Sequence, residues 1–349
     1  MVSIWMVTPP FPSLKSKRNP GRTLKVPRFP SLPVTYLNRA PEPFPPPVYI
    51  KKTRENSTAA TAELRNRWSG KLHKNLSFLL LLLLLSPSLL LPLSFFASSP
   101  MEFDEFLTRK QYVCLAKLAE KADRYEEMAR WMEKIIRKPC FKDFTAEERC
   151  LFAVAYKNVV GSRRSSWWAI FSMEHKEESR RNEADAAIIK RYRVRIEAEL
   201  SSIIEGVLGL LDSHLIPSAG SAESKVFYLK LKGDCYRYIA EFRAWEERRQ
   251  AAKDAAAAYY AAQGIAHVDL GPTHPVRLEL ELNFSEFFHD IMNSLDMACS
   301  IADKAFKSAL DDLDNLGMDF YKDSTLIMQL LRDNLTLWKA GAQRQTVEP

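Results

Sequence analysis

Apolar side chains recur three and four residues apart through most of the chain between Met101 and Leu337. Because an α-helix turns once every 3.6 residues, this spacing gathers them on one helix face. The two-residue alternation typical of β-strands is scarce, and proline occurs in this stretch only at positions 139, 217, 272 and 275. The pattern therefore predicts an all-α domain.

Local signals divide that domain into helices. Thr145, followed three residues later by Glu148, is the signature of a capping box and predicts the start of a long helix. The segments SHLIPSAGS around Pro217 and DLGPTHP around Pro272 predict loops between helices. The alanine-rich run from Ala251 to Gln263 has high helix propensity, and we interpret it as a structural helix without a binding role.

The first hundred residues differ in composition from the rest. They hold 15 of the 20 prolines, and the leucine run at 79–85 lies within an uncharged stretch that is long enough to cross a bilayer. Pro87 and Pro92 would interrupt a helix there. One interpretation of this stretch is a signal anchor. The other is a leader that is disordered, or that gene prediction joined to a true start at Met101. We favour the second interpretation. The expected organisation is a low-complexity basic leader, rich in Pro and Leu, at 1–100, a helical domain at 101–340 and a short flexible tail at 341–349.

Charge and cysteine content narrow the function classes. The leader contains 14 Lys or Arg and 3 Asp or Glu, which leaves 36 basic and 40 acidic residues in the remainder. The pI near 9.0 therefore belongs to the leader, and we expect the folded domain to bind neither nucleic acid nor membrane. Five cysteines without a C-x-x-C pair indicate a reducing compartment, with no metal and no cofactor. Because G-x-S-x-G, H-E-x-x-H and glycine-rich phosphate loops are absent from the sequence, we expect no enzyme.

Four residues suit the binding of a phosphorylated side chain. Lys157 and Arg164 lie seven residues apart, so both fall on one face of the long helix. Arg237 and Tyr238 belong to a second basic element, KLKGDCYRYIAEF. Guanidinium groups bind phosphate oxygens bidentately and stay charged, and a lysine and a phenol add donors. Taken singly, each residue is better explained by a solvated helix face or by packing, so the hypothesis depends on the set.

Four segments carry a resemblance to a known family: YKNVVGSRRSSW, ESKVFYLKLKGDCYRY, LELNFSEFFHDIMNS and YKDSTLIMQLLRDNLTLW. They look like the hallmark segments of the plant 14-3-3 proteins, and the resemblance spans about residues 101–338. It implies nine antiparallel helices and a cup-shaped dimer. It also implies a non-catalytic adaptor that clamps phosphoserine or phosphothreonine segments of client proteins in an amphipathic groove, a recognition mode for which this family is a known example.

The resemblance assigns roles by matching position. The residues that would grip the phosphate are Lys157, Arg164, Arg237 and Tyr238. The residues that would contact the rest of the peptide include two backbone-holding amides and one carboxylate, namely Asn283, Asn334 and Asp290. The apolar wall of the groove would be formed by Ile327, Leu330, Leu337 and Trp338. The spacing of these apolar residues agrees with one helix face, although alone it would indicate a core stripe.

A dimer interface would lie at the start of the domain, where AKLAEKADRYEEM resembles the first helices of the family. Across the two-fold axis, Leu118 and Ala122 would pack against Ser166 and Ile170. The charged pairs would be Arg124 with Glu199 and Glu127 with Arg195, with Tyr192 nearby. Such exposed pairs contribute about 0 to 1 kcal/mol each. The resemblance implies homodimers, or heterodimers with other 14-3-3 proteins, that bind phosphorylated clients.

Four positions depart from the family pattern. Trp168 stands where the family usually has Arg, and Cys235 replaces a Tyr. Asp290 replaces a Glu, and Glu286 replaces a valine of the groove wall, where a carboxylate facing the groove would repel a phosphate. Two hypotheses follow. The first is an adaptor in the cytoplasm, with the nucleus as a second location. The alternative is a dimerisation partner with a weakened groove that acts mainly through heterodimers.

Overall fold

Nine helices follow one another in the part of the chain that the structure describes, which comprises residues 107–139, 141–315 and 318–345. In this computed structural model the helices are α1 (Arg109–Lys121), α2 (Tyr125–Ile136), α3 (Ala146–Ser179), α4 (Glu183–Leu210), α5 (Ala222–Phe242), α6 (Trp245–Asp269), α7 (Pro275–Asp290), α8 (Leu295–Asp311) and α9 (Met318–Gln345). No strand occurs within these ranges, so the prediction of an all-α domain is confirmed. The predicted leader at 1–100 and the last four residues of the predicted tail lie outside the described residues, and α9 covers the first five residues of that tail.

The long helix α3 begins where the sequence predicts. The Thr145 hydroxyl accepts a hydrogen bond from the Glu148 backbone N–H at 3.3 Å, and the Glu148 carboxylate accepts one from the Thr145 N–H at 2.8 Å. The predicted capping box is thus confirmed, and such caps contribute about 1 kcal/mol. The same carboxylate accepts two bonds of 2.7 Å from the Arg109 guanidinium. This contact ties the start of α1 to the start of α3.

The predicted loop around Pro217 is wrong in its first half. Helix α4 continues through a π-helical turn, Leu211–Leu215, and a short α-helical turn, Ile216–Ser218. The Ile216 N–H bonds to the Leu211 carbonyl, so the hydrogen-bond ladder has already shifted by one residue where Pro217 lacks an N–H. The loop around Pro272 is confirmed, because α6 ends and α7 begins on either side of it.

Helices α5 and α6 pack closely along each other in the middle of the domain. A Cβ atom at Gly233 would lie 2.7 Å from two ring carbons of Tyr259, so α5 approaches this ring only because residue 233 has no side chain. The Tyr259 ring also stacks on Phe284 of α7, with centroids 5.2 Å apart. Buried alanines line the rest of the α6 face, which agrees with the structural role predicted for the alanine-rich run.

One helix among the described residues, Glu183–Ser218, is long and apolar enough to cross a membrane by length and composition alone. The same test is passed by core helices, and α4 packs against both α3 and α5. Its buried residues include Ile196, Leu200 and Ile204. Packing within the domain therefore accounts for the buried part of its apolar residues.

Candidate functional site

Helices α3 and α5 bring three of the four predicted phosphate ligands to one cavity. The cavity has a volume of about 430 Å³, and its lining includes Lys157 and Arg164 from α3 and Tyr238 from α5. Tyr125 and Asn158 line it as well. Lys157 is exposed, whereas Arg164 and Tyr238 are half-buried. An anion in this cavity would therefore meet two cationic groups and a phenol.

Arg164 is held in place by a carboxylate of α5. Its Nε and Nη2 donate hydrogen bonds to the two oxygens of Glu241 at 2.7 and 2.6 Å. Burial acts to lower the pKa of Arg164, but the charge of Glu241 outweighs it and the pKa is raised. The guanidinium therefore stays charged. Within the described residues Nη1 has no hydrogen-bond acceptor, so this edge of the group is available to a ligand.

Arg237, the fourth predicted ligand, lies near the same phenol ring. Its guanidinium carbon is 5.1 Å from the Tyr238 ring centroid, and that of Arg164 is 4.2 Å away. Arg237 is only 7% exposed, and its buried Nε has no hydrogen-bond partner among the described residues. Its Nη1 lies 3.4 Å from Glu286, and its Nη2 lies 4.0 Å from Asp234. Two cations thus converge on one aromatic ring.

The phenol of Tyr238, which both cations approach, is a hydrogen-bond donor. Burial raises the pKa of Tyr238, although both arginines act to lower it. The ring is therefore neutral at physiological pH and keeps its O–H. A phosphate held by the two guanidinium groups could accept a hydrogen bond from it, because phosphate oxygens are acceptors.

A buried polar network links α5 to α6 and α7 beneath the cations. The Asp234 carboxylate accepts hydrogen bonds from the Tyr259 hydroxyl at 2.6 Å and from the Asn283 amide at 2.9 and 3.1 Å. Lys230 Nζ lies 3.5 Å from Asp234 and 2.7 Å from Glu279. Burial opposes ionisation of Asp234, but Lys230 and other neighbours lower its pKa. Asn283 is therefore oriented by its amide N–H groups, which leaves its carbonyl oxygen to accept from a peptide.

Glu286 lies against Arg237, one of the predicted phosphate ligands. Its carboxylate is 3.4 Å from Arg237 Nη1, and its side chain is 32% exposed. Burial raises its pKa, and the acidic neighbours Asp290 and Asp234 raise it further, whereas Arg237 and a hydrogen bond from the Asn334 side chain lower it. This carboxylate thus lies between a predicted phosphate ligand and a predicted peptide ligand.

The predicted apolar wall on α9 has two different environments. Ile327 and Trp338 are buried in the hydrophobic core, and Leu330 packs against that core while partly exposed. Leu337 is 48% exposed. Half of the wall therefore contributes to the stability of the domain as well as to any groove.

Asp290 makes its described contact within its own helix. The His289 ring stacks on Trp338 with centroids 4.8 Å apart, and His289 Nδ1 lies 2.6 Å from an Asp290 oxygen. Asp290 is exposed. The role of Asp290 in binding a peptide stays a prediction.

The predicted dimer residues lie on an accessible surface of the single chain. Leu118, Ala122, Ser166 and Tyr192 are exposed, and Ile170 is partly exposed. A second cavity of about 300 Å³ is lined by residues that include Ser166, Tyr192, Arg195 and Glu199. The four charged residues form pairs within the chain, Arg124 with Glu127 and Arg195 with Glu199. The pairs predicted across the two-fold axis stay predictions.

Sequence reasoning missed the acidic residues that position the cations. Glu241 clamps Arg164, and Asp234 orients Asn283. Their spacing of three and four residues from Arg237 marks both acids as neighbours of a basic helix face, but it does not indicate that Glu241 pairs with Arg164. Trp168 carries no charge and packs edge-on against Trp167, with centroids 4.9 Å apart. No group of His, Cys, Asp and Glu in the described residues has the arrangement of a metal site.

Comparison with known proteins places this site in a wider context. A sequence model described as "14-3-3 protein" matches residues 115–339. The chain is 57% identical over 243 residues to the "14-3-3-like protein G-BOX factor 14 lambda" of Arabidopsis thaliana, which covers 69% of this chain and 98% of the relative. It is 61% identical over 231 residues to the "14-3-3-like protein A" of Hordeum vulgare, covering 66% and 88%. It is 54% identical over 248 residues to the "14-3-3-like protein D" of Nicotiana tabacum, covering 71% and 100%.

Proposed function

The chain belongs to the 14-3-3 family, and from that premise we propose that it is a non-catalytic adaptor that clamps phosphoserine or phosphothreonine segments of client proteins. Family membership supports a phosphopeptide-binding regulatory role. The observation that carries the proposal is the placement of Arg164 and Arg237 on the Tyr238 ring, beside the cavity that Lys157 lines. This is the set of donors that a phosphate dianion requires.

Binding would proceed by replacement of internal partners. The phosphate oxygens would accept hydrogen bonds from Arg164 Nη1, the Tyr238 hydroxyl and the Arg237 guanidinium, with Lys157 adding a positive charge. Asn283 would accept from the peptide backbone, because Asp234 already holds its amide N–H groups. Each charge-assisted hydrogen bond contributes about 1.5 to 3 kcal/mol.

The experiment is a titration of a fluorescent phosphoserine peptide with the full chain, followed by anisotropy, with the unphosphorylated peptide as reference. Neighbouring arginines supply a matched pair of variants. Arg164→Ala removes a lining residue of the cavity and should weaken binding about ten-fold or more. Arg163→Ala removes an arginine that pairs with Glu126 at 2.5 Å and should leave phosphopeptide affinity within about two-fold, since it lies outside the phosphate cavity. Equal losses in both variants, or equal binding of both peptides, would refute the proposal.

The alternative function is a dimerisation partner with a weakened groove, which acts mainly through heterodimers. The observation that favours it is the carboxylate of Glu286 at 3.4 Å from Arg237. On this alternative the wild-type chain would bind no phosphopeptide, Glu286→Val would restore binding, and light scattering would show a complex with a typical 14-3-3 protein. Tight binding of the phosphopeptide by the wild-type chain would exclude it.

For either function we propose a dimer, as homodimer or heterodimer with other 14-3-3 proteins. Leu118, Ile188, Tyr192 and Val194 are each more than half exposed in the single chain, and large apolar side chains of this kind favour a subunit interface. Leu118→Asp should therefore yield a monomer by light scattering. We place the adaptor in the cytoplasm, with the nucleus as a second location, and assign the folded domain no membrane or nucleic-acid partner.

A further inference from the structure

Glu286 and Arg237 form an ion pair at the point where a phosphate would bind. The distance from Arg237 Nη1 to the carboxylate is 3.4 Å. The Asn334 side chain acts to lower the pKa of the same carboxyl, and the negative charges of Asp290 and Asp234 act to raise it. In the free protein, Arg237 is therefore the main cation that balances Glu286.

Phosphate binding would weaken the charge pairing between Arg237 and Glu286. A phosphate dianion and Glu286 would share one guanidinium, and the carboxylate would then face the dianion as well as its two acidic neighbours. A partly buried carboxylate that loses its cation is strongly destabilised. A second cation from the groove or from the ligand would restore the balance; without one, the carboxyl would have to take up a proton, which also costs binding free energy at neutral pH.

Two other cations of the groove are already paired with acids of the described residues. On α3, Arg164 is bound by both oxygens of Glu241. On α5, Lys230 lies 2.7 Å from Glu279 and 3.5 Å from Asp234.

Two cations on the helices that hold Glu286 and Asn334 also contact acids of the described residues. On α7 itself, His289 contacts Asp290 at 2.6 Å. On α9, Arg332 lies 3.6 Å from Asp333. A new cation for Glu286 would thus come most readily from the ligand.

Building on the proposed function, we propose that Glu286 makes this groove select phosphosegments that carry a Lys or Arg beside the phosphorylated residue. The ligand cation would pair with Glu286 while the phosphate takes Arg237. Because Glu286 lies next to Arg237, the basic residue must lie within about two positions of the phosphoresidue, given roughly 3.8 Å between consecutive Cα atoms. A segment with small neutral neighbours would leave the carboxylate without a cation and would bind more weakly.

The test uses phosphoserine peptides of one sequence with alanine on both sides of the phosphoserine. A single arginine is then placed at position −2, −1, +1 or +2 relative to it. Each peptide is titrated into the full chain as wild type, Glu286→Gln and Asp333→Asn. Glu286→Gln keeps the shape of the side chain and removes its charge, whereas Asp333→Asn removes an exposed acid of α9 and controls for the overall charge. Thermal unfolding of each variant verifies that it is folded.

For the wild-type chain we expect an arginine in at least one position to tighten binding about ten-fold over the alanine peptide, the effect of one partly buried ion pair. Glu286→Gln should reduce that gain to less than about two-fold and bind the alanine peptide more tightly than wild type, whereas Asp333→Asn should retain the gain. No gain at any position, or an equal gain in Glu286→Gln, would overturn the inference while leaving the adaptor function intact. If neither wild type nor Glu286→Gln binds any phosphopeptide, the proposed function itself fails, and this inference with it.

Discussion

Replacing Gly233 with alanine is the most direct test of how α5 and α6 pack. A Cβ atom at this position would lie 2.7, 2.7 and 2.9 Å from three carbons of the Tyr259 ring. Carbon atoms in contact are normally about 3.5 to 4.0 Å apart, so the ring would have to move by roughly 1 Å. It is held by the 2.6 Å hydrogen bond to Asp234 and by the stack on Phe284. Movement of the ring would therefore weaken both contacts.

The expected change in the free energy of unfolding follows from opposing effects. Overpacking of a core costs about 1 to 3 kcal/mol, and weakening one buried hydrogen bond costs about 1 kcal/mol more. Alanine in a helix interior is favoured over glycine by about 1 kcal/mol. We therefore expect Gly233→Ala to lower the free energy of unfolding by about 1 to 3 kcal/mol. Because Asp234 also orients Asn283, phosphopeptide affinity should fall too.

The assay is urea unfolding at one protein concentration, since dimerisation would make stability depend on concentration. Gly264→Ala is the matched control, because it lies in α6 and a Cβ there would meet nothing within 4 Å. With only the helix preference acting, this control should gain about 0.5 to 1 kcal/mol. The reasoning would be refuted if Gly233→Ala were as stable as wild type or more stable, since the two helices could then not be in such close contact.

Three further predictions follow from single contacts. Trp245 has a φ of +48°, a backbone conformation that is unfavourable for a bulky residue. Trp245→Gly should therefore raise the free energy of unfolding by about 1 kcal/mol in urea titration. A decrease would mean that the exposed indole contributes more to stability than the backbone strain costs. Glu241→Gln should weaken phosphopeptide binding about ten-fold by anisotropy, because Arg164 loses its charged clamp, and unaltered affinity would contradict the role of this clamp. The pKa of Asp234 is lowered in the folded protein, because Lys230 and other neighbours outweigh the effect of burial. The stability that the Asp234 carboxylate contributes is therefore present above the ordinary carboxyl pKa of about 4 and is lost as the pH falls below it. Asp234→Asn should therefore be less stable than wild type at neutral pH, with a difference that shrinks in strongly acidic buffer, and a difference independent of pH would exclude this linkage.

The helices could be predicted from the sequence because their signals are local. Apolar spacing predicts an all-α domain, and the Thr145 capping box lies within four residues of the sequence. The long helix also places Lys157 and Arg164 at one cavity, as two full turns require. The loop prediction around Pro217 is wrong for a local reason as well. A π-helical turn, which lets the helix continue past a proline, has no strong sequence signal.

The partners of the cations could not be predicted in the same way. Arg164 and Glu241 are 77 residues apart in the sequence, and Arg237 and Glu286 are 49 residues apart. Pairing at such separations depends on how helices pack, and neither helical periodicity nor residue type determines it. Family resemblance supplied the positions of the predicted phosphate ligands, but where it implies a valine, at position 286, this chain has a glutamate. Only the structure shows which cation that carboxylate contacts.

The pairing of Arg124 with Glu127 and of Arg195 with Glu199 has a consequence for how subunits would change partners. In a dimer of the proposed kind, these four side chains would exchange their internal partners for new ones across the axis. A departing subunit would therefore carry no unmatched charge on this surface, because each side chain could return to its neighbour on the same chain. The charges would add little to the barrier for separation, and rates of subunit exchange would depend mainly on apolar contacts such as those of Leu118. The rate of exchange with related chains would then be nearly insensitive to salt.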